Sequence, residues 1–284
     1  GGKGGGCLGL GGVADGEGLI ASVWELGSSE VPKSRAVPGN IGEGTFVYVK
    51  GRPATFATSG ELPWKRTLAE SLGNVMLEGT GLVLRFTRQT TSKPQFRGDI
   101  DNLCEPVFSV VINKLGWLGG RRPNMRFWIA SVKSGSQEGV ELAAFKEVPE
   151  QEWCNSESLV FEGEYFGEIP KDGRNEEFPG WIREKWNNQP LRKGESLGVH
   201  LQFNSNDINI GGVSTGCVKS ILDCTYPIIG GYAGAPDDWK IRKIIVEKDT
   251  PMNGVVKIYI YNIGLEEIFF GGSVLRPYSN LRCP

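Results

Sequence analysis

The segment RGDIDNL, residues 97–103, carries two aspartates one residue apart, directly before a run of apolar residues. Asp99 and Asp101 lie on the same side if the segment is extended, and their mutual repulsion is offset if a cation binds between them. Mg²⁺ binds a few carboxylates together with water, and such ions promote phosphodiester hydrolysis. The pair is therefore a candidate metal site. The structural alternative is that Asp101 caps the following helix and Asp99 is solvated beside Arg97.

The spacing of apolar residues predicts the elements around this pair. They are a strand FVYVKG, a helix over about residues 63–77 with Pro63 in its first turn, a strand over 81–86, and the hairpin strands MRFWIASVKSG and GVELAAF. The run NLCEPVFSVVINKLGWL predicts a helix that begins near Asp101 or Asn102, with Pro106 in its first turn. The two aspartates should therefore precede a helix that joins two strands.

The same order of elements recurs in the second half of the chain. The matching segments are LVFEGEYFG, FPGWIREKW, LGVHLQF, CVKSILDCTYPIIGG and WKIRKIIVEKD followed by GVVKIYIYNI. The offset between matched residues is nearly constant, 114 positions from Glu105 to Lys219 and 115 from Lys133 to Lys248, which indicates a duplication. We expect an α+β fold with two similar units, each a small mixed sheet covered by two helices. The boundaries are a Gly-rich arm (1–44), a first unit (45–146), a linker (147–158), a second unit (159–262) and a tail (263–284).

Composition limits the function. The chain has 284 residues, 39% of them hydrophobic, and a formal charge of −2, so any nucleic-acid surface must be a local basic patch. No apolar run approaches the roughly 20 residues that cross a bilayer, which argues against membrane insertion. A single histidine, His200, excludes a multi-histidine metal site within one chain, and the six cysteines show no CxxC spacing. We expect an intracellular protein, in a compartment that the sequence leaves open.

The order of elements and the segment RGDIDNL resemble the RusA-type Holliday-junction resolvases. That family consists of homodimeric, Mg²⁺-dependent endonucleases that cut branched DNA symmetrically. RGDIDNL is similar to the family's D-L-D-N-L signature, and KLGWL is similar to its G-F-W-L; the similarity covers the first unit and, more faintly, the second. The resemblance implies a structure-selective endodeoxyribonuclease that uses Mg²⁺ or Mn²⁺ on branched or duplex DNA. It also implies that the two RusA-like units pack as a pseudo-dimer within one chain.

The first unit departs from the family pattern in two places. Where the family has a lysine four residues after the second aspartate, this chain has Glu105. Where the family has paired aspartates after W-L, this chain has Gly119 and Gly120 followed by Arg121 and Arg122. The Gly-rich loop GGRRPNMRFW predicts a phosphate-binding patch of Arg121, Arg122 and Arg126, together with Arg97; the alternative is a solvated cationic loop.

The second unit departs in the opposite sense. Lys219 stands at the family's lysine position with Asp223 one turn later, and Asp237 and Asp238 stand at the paired aspartates. The D-x-D pair is missing, because Val213 and Thr215 occupy its place; Asp207 and Asn209 can replace it only across an insertion.

The resemblance yields a set of predicted site residues. The predicted catalytic residues are Asp99, Asp101, Lys219 and Asp238, and the predicted metal ligands are Asp99, Asp101, Asp207, Asp237 and Asp238. Three arrangements stay open: a site within the second unit, a site composed from both units, or no competent site. In the last case the protein is a catalytically degenerate RusA-like subunit that binds nucleic acid or another protein, with the arm and tail as possible contacts to a protein partner.

Overall fold

The computed structural model describes residues 21–24, 39–89, 99–186, 190–191, 195–213 and 216–264. The strands are β1 (Ala21–Trp24), β2 (Gly39–Ile41), β3 (Phe46–Lys50), β4 (Val75–Leu77), β5 (Gly81–Arg88), β6 (Phe127–Ser134), β7 (Gly139–Phe145), β8 (Leu159–Tyr165), β9 (Leu197–Phe203), β10 (Gly231–Tyr232), β11 (Ala235–Pro236), β12 (Ile241–Glu247) and β13 (Val256–Asn262). The α-helices are α1 (Glu61–Leu72), α2 (Ile100–Phe108), α3 (Glu177–Lys185), α4 (Cys217–Cys224) and α5 (Tyr226–Ile229). A π-helical segment, Ser109–Lys114, extends α2, and short 3-10 turns include Arg122–Asn124 and Asp238–Lys240.

The protein has an α+β fold built on one large mixed sheet. Its nine strands run in the order β1-β3-β7-β5-β6-β12-β9-β13-β8. The sequence predicted two separate small sheets, but β6 and β12 pair antiparallel, from Phe127 opposite Glu247 to Ser131 opposite Lys243, and join them into one. Both strands are apolar on their two faces, as expected for strands in the interior of a sheet.

The strand order is the same on the two sides of the β6–β12 junction. On one side β3 pairs with β7, β7 with β5 and β5 with β6; on the other side β8 pairs with β13, β13 with β9 and β9 with β12. The sense of pairing also matches, since β5–β6 and β9–β12 are parallel and the other pairs are antiparallel. Helix α2 lies between β5 and β6 along the chain, and α4 lies between β9 and β12.

The helices and the linker pack on opposite faces of this sheet. Apolar side chains of the helices, such as Leu68, Leu103 and Ile221, belong to the larger core cluster together with one face of the strands. The other face is covered by the linker, whose Trp153 is 3% exposed and meets the ring of Tyr261 edge to face. Helices α2 and α4, which carry Asp101 and Lys219, therefore lie on the same face of the sheet.

Two predicted helix boundaries needed correction. Helix α1 ends at Leu72 rather than near residue 77, and Val75–Leu77 forms strand β4 because Val75 and Leu77 alternate with an exposed Met76. Pro106 is the seventh residue of α2 rather than a first-turn residue. Proline has no N–H to donate, and the carbonyl of Asn102, one turn earlier, instead accepts the N–H of Phe56 at 2.9 Å.

Some predictions fall outside the described residues. Arg97 and Thr215 lie there, as do the tail beyond Gly264 and most of the Gly-rich arm. Within the described ranges, no helix is both long enough and apolar enough to cross a membrane.

Candidate metal centre

Three of the predicted aspartates lie together although they are far apart in the sequence. Asp99, Asp101 and Asp238 each direct a carboxylate oxygen to one place, where these oxygens lie within 4.8 Å of one another. We call these three residues the acidic cluster. The acidic cluster therefore combines two acids from the first unit with one from the second. This is the composite arrangement among the three that the sequence left open.

The start of α2 positions the two aspartates of the first unit. Asp99 immediately precedes the helix in an extended conformation, and its carboxylate accepts a hydrogen bond of 3.0 Å from the side chain of Asn102 instead of capping the backbone. Asp101 lies in the first turn, where the partial positive charge of the helix terminus favours a carboxylate. Its side chain is buried, with 1% exposure, and Oδ2 has no hydrogen-bond partner among the described residues.

Helix α4 supplies an ammonium group to the acidic cluster. Lys219 and Asp223 lie one turn apart on this helix, and their charged atoms are 2.7 Å apart. The Lys219 ammonium also donates to Asp238 at 2.9 Å and lies 3.7 Å from Asp101 Oδ2. One lysine is thus surrounded by three carboxylates, while Val218, Ile221 and Leu222 on the same helix pack into the core.

A turn anchored in the core positions Asp238. The hairpin β10–β11 precedes it, and Gly231 at its start has a φ of +86°, where an added Cβ would come within 2.4 Å of the carbonyl oxygen of Ala235. Asp238 then opens the 3-10 turn that ends at Lys240. The buried ammonium of Lys240 donates to the carbonyls of Leu191 and Ile229 at 2.9 and 2.6 Å, which fixes the turn against α5.

Burial and crowding raise the pKa values of Asp101 and Asp238. Burial raises the pKa of Asp101 to about 7, against the attraction of Lys219 and with further repulsion from Asp99 and Asp238. Burial also raises the pKa of Asp238 to about 6, and repulsion from Asp99 adds to this effect. Carboxylates kept crowded at this cost indicate a place where a cation binds.

The pH dependence of stability is a first prediction. The folded pKa of Asp101, about 7, exceeds its ordinary value of 3.8, so between these pH values the folded chain retains protons that the unfolded chain has released. In EDTA the free energy of unfolding should therefore fall as the pH rises from about 4 to about 7. Bound Mn²⁺ should oppose this fall, because deprotonated carboxylates bind it better as the pH rises.

Thermal melts at several pH values, with EDTA or with Mn²⁺, measure both effects. The variant Asp101→Asn removes the ionisation without changing the shape of the side chain. We expect it to reduce the pH dependence in EDTA and to melt no lower than the unsubstituted protein at pH 8. Equal pH dependence in the two proteins would contradict the assignment of this ionisation to Asp101.

Two predicted metal ligands lie outside the acidic cluster. The carboxylate of Asp237 lies 3.3 Å from the ammonium of Lys240 and 3.3 Å from the indole nitrogen of Trp239, so it holds the turn before β12. Asp207 is exposed, and its backbone N–H is bonded to the side chain of Ser205. Within the described residues, only the acidic cluster brings three potential ligands this close.

The predicted arginine patch is divided by the structure. Arg121 is exposed, and Arg126 forms an exposed ion pair of 2.6 Å with Asp249. Arg122 is different, because its guanidinium donates to both carboxylate oxygens of Glu105, at 2.7 and 2.8 Å, with both side chains largely buried. The prediction that Arg122 belongs to an open phosphate-binding loop therefore needs correction.

Two residues beside the acidic cluster were not among the predicted site residues. Asp223 holds Lys219 at 2.7 Å, and the signal was its position one helical turn after that lysine. Asn102, the residue after the D-x-D pair, holds Asp99 through its side-chain amide. Asn102 belongs to the D-x-D-N-L motif, but the hydrogen bond itself depends on the backbone at the start of α2.

No protein-family model, curated protein or solved structure matches this chain. The function is therefore inferred from the geometry of the acidic cluster and from the resemblance of RGDIDNL to the RusA-type signature.

Proposed function

We propose that this protein is a Mg²⁺-dependent, structure-selective endodeoxyribonuclease with a RusA-like fold, acting on branched DNA. The observation that carries the proposal is the convergence of Asp99, Asp101, Asp238 and Lys219, which come from opposite halves of the chain. These are the four residues that the resemblance to RusA-type resolvases assigns to catalysis. Chance convergence of four such side chains, one of them a carboxylate with 1% exposure, is a weaker explanation.

The proposed architecture is a pseudo-dimer of two RusA-like units. Its support is the repeated strand order on the two sides of the β6–β12 junction, with the same parallel and antiparallel pairs. The linker and the paired central strands hold the two units in a fixed relation within one chain. The composite site follows from this arrangement, since each unit supplies side chains to the boundary between them.

The acidic cluster fits a divalent cation. Mg²⁺ binds oxygen at about 2.0–2.1 Å, so two ligands of one ion lie at most about 4.2 Å apart. The three carboxylate oxygens lie within 4.8 Å of one another and would move slightly closer to bind one ion. Asp99, Asp101 and Asp238 would hold the ion. The Oδ2 of Asp101, which accepts no hydrogen bond among the described residues and lies 3.7 Å from the Lys219 ammonium, would gain a direct bond to the ion. A bound Mg²⁺ supplies polarisation of the phosphate and a more acidic water molecule.

Lys219 has a separate role in this proposal. Asp223 and Asp238 hold its ammonium beside the acidic cluster, where it can stabilise the negative charge that develops on a phosphate. Asp101 and Asp238 are buried, so water is excluded around them and the local dielectric constant is low. The attraction between the Lys219 ammonium and the phosphate is therefore stronger than in water. Asp99 and Asp223 are only half-buried, so the cluster is open to solvent on their side.

The substrate class comes from the resemblance and has a direct test. A labelled four-way DNA junction should be cut in Mg²⁺ or Mn²⁺ and left intact in EDTA. A linear duplex of the same sequence, at the same ionic strength, is the matched substrate control, and it should be cut much more slowly. Electrophoresis under denaturing conditions measures the products and maps the cut positions.

Two other results would reject the proposal in different ways. A junction that is shifted on a native gel but never cut, with binding that weakens steeply as salt rises, would indicate a degenerate nucleic-acid-binding subunit. Neither shift nor cleavage would indicate a structural or protein-interaction role.

A further inference from the structure

In the second unit, Lys219 and Asp238 of the candidate metal centre precede strand β12. The equivalent positions of the first unit, before strand β6, hold the buried Glu105–Arg122 pair. Glu105 lies 22 positions before Phe127, the first residue of β6, and Lys219 lies 22 positions before Ile241, the first residue of β12. Arg122 begins the three-residue 3-10 turn before β6, and Asp238 begins the three-residue 3-10 turn before β12. Glu105 therefore corresponds to Lys219, and Arg122 corresponds to Asp238.

The surroundings of the pair support this correspondence. Beside Asp238, the residues from the other unit are Asp99 and Asp101, which precede helix α2 or lie in its first turn. Beside Arg122, the segment from the other unit precedes α4, since the guanidinium donates to the carbonyl of Gly211 at 2.9 Å. Asp238, which precedes β12, thus lies beside the start of α2, and Arg122, which precedes β6, lies beside the segment that leads into α4.

The charges at the two positions are inverted. At the acidic cluster the helix supplies a lysine and the turn an aspartate, with 2.9 Å between their charged atoms. At the corresponding position the helix supplies Glu105 and the turn Arg122, with 2.7 Å between theirs. An ion pair is retained at both positions, but its orientation is opposite.

The Glu105–Arg122 pair cannot serve as a second metal centre. Both carboxylate oxygens of Glu105 accept hydrogen bonds from the guanidinium, whose positive charge therefore lies against the whole carboxylate. Val213, which stands where the first unit has Asp99, is fully buried and apolar. A carboxylate paired bidentately and next to a fixed positive charge does not attract a divalent cation.

We infer that each chain carries one competent site and makes one incision per encounter with a DNA junction, in contrast to a symmetric pair of incisions. This inference rests on the proposed function. Each incision consumes one water molecule: its oxygen forms a bond to phosphorus, one P–O ester bond breaks, and a proton from the water ends on the leaving oxygen as a hydroxyl. The Glu105–Arg122 pair contributes to the junction between units and not to hydrolysis.

A supercoiled plasmid with an inverted repeat extruded as a cruciform distinguishes one incision from two. The first incision releases the supercoiling, and the cruciform then returns to linear duplex, so a second incision must occur in the same encounter. A chain with one site should convert the plasmid to nicked circles, with less than about a tenth as linear DNA. A chain with two sites should yield linear plasmid without prior accumulation of nicked circles. The measurement is the ratio of linear to nicked product during the first turnover in Mg²⁺.

A charge-exchange variant provides the matched control. Glu105→Lys combined with Arg122→Asp keeps an ion pair at this place and should leave the rate of nicking within about twofold of the unsubstituted protein. Linear product as the main product of the unsubstituted protein would overturn the inference and leave the proposed function intact. Loss of that linear product in the exchange variant would then assign the second incision to Glu105. Absence of any cleavage would remove the proposed function, and the inference with it.

Discussion

Replacing Asp238 with asparagine is expected to lower the rate of metal-dependent junction cleavage by about 10³-fold, because a metal ligand contributes several kcal/mol to transition-state stabilisation. Asp238 is the acid that the second unit contributes to the acidic cluster. The binding of Mn²⁺, measured by calorimetry without DNA, should weaken in the same variant. Asparagine keeps the size of the side chain but removes the charge that a hard cation prefers.

The matched control for this prediction is Asp207→Asn. Asp207 was also predicted as a metal ligand, yet it is exposed and lies outside the acidic cluster. The same chemical change there should alter both cleavage and Mn²⁺ binding by less than about threefold, since it removes no ligand. If Asp238→Asn cleaves and binds Mn²⁺ as the unsubstituted protein does, the acidic cluster is not a metal centre. If both variants lose activity to the same extent, the effect is not specific to the cluster.

The elements of the fold were largely readable from the sequence, but their assembly was not. Strands such as β5 and β9 are short apolar runs, and helix α4 repeats its apolar residues with helical spacing, so local pattern was sufficient to predict them. The joining of two expected sheets through β6 and β12 had no local signal. Apolar residues on both faces show that a strand is buried, but they do not show which strand lies beside it.

The candidate site shows the same division between local and distant information. Asp99 and Asp101 belong to one short motif, and sequence alone identified them. That Asp238 lies within 4.8 Å of them depends on the packing of two units, which spacing within either unit does not reveal. Asp237, which precedes Asp238 in the chain, contacts Lys240 instead, because adjacent residues in a turn direct their side chains differently.

Arg122 shows why the charge of a loop is ambiguous in a sequence. Three arginines in a Gly-rich segment give the same sequence pattern whether each guanidinium faces water or pairs with a buried carboxylate. The pattern predicts a phosphate-binding patch in both cases. The partner of Arg122 is Glu105, 17 positions earlier on a helix, a separation that has no regular meaning in sequence. Only the packing of the turn Arg122–Asn124 against α2 distinguishes a structural ion pair from a binding surface.

Replacing Arg122 with alanine is expected to lower the free energy of unfolding by about 3–5 kcal/mol, because it leaves a largely buried carboxylate without a counter-charge. The side chains of Arg122 and Glu105 are only 14% and 10% exposed, and the guanidinium also satisfies the carbonyl of Gly211 in the opposite unit. Denaturation by urea at pH 7 in EDTA measures the loss. The effect should be structural, so any residual folded protein should still bind Mn²⁺.

Arg126→Ala is the matched control, since Arg126 lies four positions away and forms an ion pair of 2.6 Å with Asp249 in which both side chains are about half exposed. Water screens such a pair, so its loss should cost less than about 1 kcal/mol. Replacing both members of the buried pair, as in Glu105→Met with Arg122→Leu, should recover most of the stability lost in Arg122→Ala, because no unpaired charge remains. Equal losses in Arg122→Ala and Arg126→Ala would show that the Glu105–Arg122 pair does not hold the two units together.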